Sequence, residues 1–78
     1  SGILSDSGYV GYAAARETAL SDAGITQEKA KDLSVEMIKI DDTVCYKVQF
    51  TGSVTDYRYI IDASSGLIIG QRFYRTEG

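Results

Sequence analysis

Seventy-eight residues make one small domain, and 44% hydrophobic with 24% charged side chains is a globular balance that excludes a disordered tail. A chain this short hides only somewhat more than ~60% of the surface its unfolded form exposes, so its core is thin and a deep cleft is not expected. The net charge of −3 is uneven, with four basic against eight acidic side chains in residues 1–42 and four against three in residues 43–78, so no basic face for nucleic acid is present.

Ser1 and Gly2 read as the remnant of an expression tag, the missing initiator Met points to an excised piece, and residues 1–9 form a lead-in to a single domain over residues 10–76. No apolar run reaches the ~18–20 residues that cross a bilayer and no basic-then-apolar leader precedes Tyr9, so this segment is expected to be soluble, without membrane insertion of its own. From Ala13 to Ala23 the chain is rich in helix formers, with Tyr12, Ala15, Ala19, Leu20 and Ala23 at helical spacing and Arg16 at the margin of that stripe. Gly24 is the expected left-handed stop, and Gly11 a second-choice cap. Thr26 to Ala30 supplies one short helical turn as a connector.

The period then changes to two. Leu33, Val35 and Met37 alternate in a first strand to Ile40, whose pattern slips at Ile38 and Ile40 and so points to a bulge or to an edge strand buried on both sides. After a turn at Asp41-Asp42-Thr43, Val44, Tyr46, Val48 and Phe50 alternate with Cys45, Lys47 and Gln49. Gly52 to Thr55 reverses the chain into a third strand, Tyr57 to Asp62. Ala63-Ser64-Ser65-Gly66 reads as a type I turn closed by a left-handed glycine, leading to a fourth strand from Leu67 to about Arg75 in which Gly70 marks a bulge that brings Phe73 inward and leaves Arg72 in water. These elements predict an α+β fold, one N-terminal helix on a four-stranded antiparallel meander. The expected core is Ala15, Ala19, Leu20, Val35, Val44, Tyr46, Val48, Phe50, Tyr57, Tyr59, Ile61 and Ile68.

Chemistry finds no foothold. Histidine is absent, which removes the usual base of Ser or Cys nucleophiles and the commonest nitrogen ligand of zinc. Cys45 is alone and reads as a small, partly buried hydrophobe. Asp41 and Asp42 reverse the chain, and no glycine-rich phosphate loop follows a strand. No catalytic residue, cofactor or metal site is expected.

A binding surface is expected instead. Cys45, Ile60 and Ile69 fall on the outward phase beside Lys47, Gln49, Arg58 and Gln71, with Lys47, Ile60 and Ile69 aligned across three strands, so Lys47, Arg58, Ile60, Ile69, Gln71 and Arg72 are the candidate partner-binding residues. The terminal strand, Leu67 to Arg75, lacks Pro and offers a second route by strand addition. Tyr46, Tyr57 and Tyr59 belong to the buried phase, whereas Tyr9, Tyr12 and Tyr74 lie at element ends as surface candidates.

The helix ending Ala19-Leu20-Ser21-Asp22-Ala23-Gly24, the strand Tyr46-Lys47-Val48-Gln49-Phe50 and above all the segment from Tyr57-Arg58-Tyr59 through Ile61-Asp62-Ala63 and Ser65-Gly66 to Ile68 give the chain a resemblance to the PepSY domain. The likeness spans about Val10 to Arg72, with Gly24, Tyr57, Tyr59, Asp62 and Gly66 as its structural signature; it departs from the family pattern at Gly11, where Ser or Thr is usual, at Ser65, where Thr is usual, and in its less regular first strand. The resemblance implies a non-catalytic, monomeric module that inhibits, regulates or chaperones a peptidase at or outside a bacterial membrane, as in peptidase propeptides and spore-cortex lysis partner proteins. The competing reading is an envelope-sensing or ligand-binding domain that meets cell-wall material or small molecules.

Overall fold

The computed structural model describes residues 8–75; the expected lead-in up to residue 7 and the last residue of the expected domain lie outside the described residues. Helix α1 (Tyr12–Ala23) is followed by strands β1 (Lys31–Ile40), β2 (Thr43–Thr51), β3 (Thr55–Asp62) and β4 (Ile68–Arg75), each antiparallel to the next in one sheet of order β1-β2-β3-β4. The α+β meander expected from the periodicity is the observed fold.

Alanine explains how helix and sheet meet. Ala15 and Ala19 are fully buried and Leu20 nearly so, and their small side chains let the helix lie close over Tyr46, Val48, Phe50, Tyr59 and Ile61. Gly24 ends the helix at φ 73°, a left-handed turn that only glycine enters without a Cβ penalty, and its N–H reaches the carbonyls of Leu20 and Ser21 at 2.9 and 3.2 Å. Gly11 offers no side-chain cap, and its own N–H instead donates to the Tyr46 hydroxyl at 3.0 Å. Near the other end the Tyr59 hydroxyl donates to Asp22 Oδ2 at 3.0 Å. Two tyrosines of the sheet therefore hold the two halves of the helix. Thr26 to Ala30 forms a turn, with the N–H groups of Lys29 and Ala30 bonded to the Thr26 carbonyl.

Every residue of the expected core is buried or packs against the buried cluster; Ala63 and Cys45 join the buried set. The alternation slip in β1 has a different origin from a bulge at that point. Pairing runs unbroken from Ser34 opposite Gln49 to Ile40 opposite Thr43, so the strand half-buries Met37 on the helix side and Ile38 on the other, while the bulge lies between Lys31 and Ser34, where Asp32 takes φ 54°. Asp41 and Asp42 form the two-residue turn to β2, both with positive φ (47° and 68°), the type I′ pattern whose twist matches the strands.

The turn between β3 and β4 is built as its residues suggest. Asp62 Oδ1 accepts from the N–H groups of Ser64 and Ser65 at 2.8 and 3.1 Å, and Gly66, at φ 79°, donates to the Asp62 carbonyl at 2.8 Å. The bulge that follows resets the strand: Ile61 pairs with Ile68 but Ile60 with Gly70, leaving Ile69 extra. Gln71, expected on the outward side, is thereby placed opposite Tyr59 on the helix side, and Phe73 opposite Tyr57.

Candidate protein-binding surface

The helix sits off centre. It packs over β2, β1 and β3 and scarcely reaches β4, so the aromatic side of the sheet is sealed over three strands and opens at the fourth. On the helix side Phe50, Tyr57 and Tyr59 stack in near-parallel planes with centroids 5.0 to 6.5 Å apart, and beyond Tyr57 an open depression of about 580 Å³ lies between Ile25, Lys29 and Gly52. Tyr59 is fully buried; burial, then the hydrogen bond and charge of Asp22 and the nearby Tyr57, push its phenol well above the ordinary value. Cys45 is also fully buried, and burial followed by the charge of Asp62 raises its thiol, the opposite of what a nucleophile needs.

On the uncovered side of the sheet the expected strip is only partly assembled. Lys47 and Ile60 do face each other across β2 and β3, but Gly70 completes the row and Ile69 is left in the bulge. Lys47 is already occupied by Glu36, its cross-strand partner, at 3.5 Å. The next row is Gln49, Arg58 and Arg72, in which Arg58 Nε donates to Gln49 Oε1 at 3.1 Å and the guanidinium lies 5.7 Å from the centre of the Tyr74 ring. Arg58 and Arg72 thus stand directly opposite each other, like charges on paired positions, beside a shallow depression of about 260 Å³ bordered by Asp32, Thr51 and Asp56.

Strand β4 differs from the rest. Ile68 packs on the core, but Ile69, Phe73 and Tyr74 are 56%, 55% and 45% exposed. Phe73 touches Tyr57 and Tyr59 edge-on, at 5.3 and 6.0 Å, with its other flank in water. A groove of about 410 Å³ separates Ile68 from the helix flank of Glu17, Ser21 and Asp22. Of the six candidate residues, the fold therefore brings Lys47, Arg58, Ile60 and Arg72 to one side of the sheet and places Ile69 in the bulge and Gln71 on the helix side. Phe73, expected to turn inward, does reach the helix side of the sheet but stays 55% exposed, because the helix scarcely covers β4; with Tyr74 it forms an aromatic pair between Arg72 and Arg75 in the last strand.

The tyrosines set aside as a surface group do not form one. Tyr9 packs half-buried on the core, Tyr12 meets Tyr46 on the helix side at 5.2 Å, and Tyr74 stands on the opposite side with Arg58. The sheet lies between them.

Residues 10–72 match the family described as peptidase propeptide and YPEB domain, PepSY. Over 55 residues, 70% of this chain, the sequence is 38% identical to the uncharacterized protein Spy1430 of Streptococcus pyogenes serotype M6, of whose length the match covers 42%, less than half. No solved structure matches. A match over most of the chain, onto the helix-on-meander that the residues build, identifies this chain as a member of the PepSY family.

Proposed function

We propose that this domain is a non-catalytic protein-binding module that inhibits, regulates or chaperones a peptidase, within a secreted or cell-envelope bacterial parent protein. The observation that carries the reading is the match of residues 10–72 to a family named for peptidase propeptides. Its physical support is the distribution of groups. The stacked aromatics occupy the interior, the chain has no histidine, and three of the exposed apolar groups, Ile69, Phe73 and Tyr74, lie along β4, where a partner protein reaches them and a reacting small molecule is not enclosed. An exposed strand is also the conformation in which a peptidase takes its substrates, so it meets a cleft at low ordering cost.

The test is a titration of the purified chain against a panel of secreted metallopeptidases. Inhibition, or faster refolding of the peptidase, with affinity in the nanomolar to micromolar range supports the reading. Unchanged peptidase activity and refolding across the panel, together with binding to peptidoglycan, contradicts it and returns the domain to envelope sensing.

A further inference from the structure

We propose that the outer edge of β4 accepts an extended acidic segment of the partner as a fifth strand, with one carboxylate on Arg72, one on Arg75 and an apolar side chain on Phe73. This rests on the protein-binding reading and names the site and the partner's chemistry.

The charge pattern points to the occupant. From Ile68 to Arg75 the only charged side chains are Arg72 and Arg75, and among the described residues neither is in an ion pair. Arg72 faces Arg58 across the ladder, so the strand carries a repulsion that an anion would relieve. The local sign runs against the net charge of −3. A second copy supplies no acid: two β4 strands paired antiparallel with Phe73 opposite Phe73 would set Arg72 against Tyr74 and Arg75 against Gln71, and the β1 edge of another copy begins at the Asp32 bulge and has its Glu36 held by Lys47.

Register sets the sequence that would be read. Arg72 pairs with Arg58 on the open side and Arg75 with Thr55 on the helix side, with Phe73 also on the helix side. An antiparallel segment lying opposite Arg75, Tyr74, Phe73 and Arg72 in turn should therefore read acid, any residue, apolar, acid. Further toward Ile68 the helix flank presents Glu17 and Asp22, so the segment's next helix-side residue should be uncharged.

The experiment uses the whole chain and the capped peptide Thr-Thr-Glu-Thr-Val-Glu-Val-Thr, followed by fluorescence anisotropy and by amide exchange of β4. Binding is expected, weakening with salt and slowing exchange at the outward amides of β4. Arg72→Glu with Arg75→Glu should weaken it at least tenfold, a peptide with Lys for both Glu should bind that variant better than the original, and Lys39→Glu on the opposite edge should leave affinity unchanged. Proline in place of the central Val should abolish binding by removing a main-chain donor. No binding at millimolar peptide, or equal affinity in the folded double variant, or protection that leaves the outward amides of β4 unchanged, overturns the proposal. So does a dimer through β4 that the peptide cannot disperse. If the double variant inhibits a peptidase as well as the parent chain does, the edge is wrong while the protein-binding reading stands; if the parent chain inhibits none and still binds the peptide, the reverse holds.

Discussion

The two edges of this sheet are finished differently. At β1 the helix lies overhead, Leu33, Val35 and Met37 pack on the core, and the strand is blunted at one end by the Asp32 bulge and at the other by a tight turn of two left-handed aspartates. At β4 only Ile68 is tucked in, while aromatic and basic side chains stand in water on both sides of the strand. The helix lies over β1 to β3, so the side chains of β4 are the least covered, while both edge strands keep a row of main-chain groups at the rim of the sheet.

The largest effect that would sharpen this comparison is truncation on either side of the boundary. Tyr59→Ala opens the sealed stack and removes the bond to Asp22, and should cost about 3–5 kcal/mol in urea unfolding. Phe73→Ala, one strand away on the same side of the sheet but half in water, should cost about 1 kcal/mol. Equal losses would mean that β4 is part of the core. Next, Ala19→Leu should destabilise by about 1–3 kcal/mol, because a fully buried alanine on the inner face of a helix lying close to the sheet has no room for a branched chain.

A smaller effect has a pH signature. Tyr59→Phe should lose about 1 kcal/mol near neutral pH through the bond to Asp22. Because the folded state holds the Tyr59 proton more tightly than the unfolded chain, with its ordinary value of 10.0, the proton-linked stability is complete below that value and is lost as pH rises above it toward the raised folded one. Thermal melts should therefore fall more steeply above pH ~10 for the parent chain than for Tyr59→Phe. The smallest change lies at the finished edge. Replacing Asp41-Asp42 with Asn-Gly suits positive φ at both positions and should add about 1 kcal/mol to unfolding stability without altering partner binding.

Much of this was legible from residues. Alanine-rich spacing located the helix, period-two alternation located the strands, and Asp62 with Gly66 fixed the turn, because each of these signals is local. Register was not. Leu67, Ile68 and Ile69 are apolar on both phases, so alternation cannot say which one is extra; the β4 bulge decides it and sends Gln71 to the helix side. The Asp32 bulge was hidden for a related reason, since an aspartate before a strand looks the same whether it ends a loop or takes φ 54° within the ladder. The lateral offset of the helix also has no sequence period. The bonds from Tyr46 on β2 and Tyr59 on β3 that anchor it to Gly11 and Asp22 join residues far apart in sequence.

Native-state amide exchange across the sheet tests the central claim most directly. If the helix seals β1 to β3 and leaves β4 open, amides of β2 and β3 should exchange only through global unfolding, whereas those of β4 that bond to β3 should exchange through a local opening at least tenfold more frequent. Protection of β4 equal to that of β3 would contradict the account.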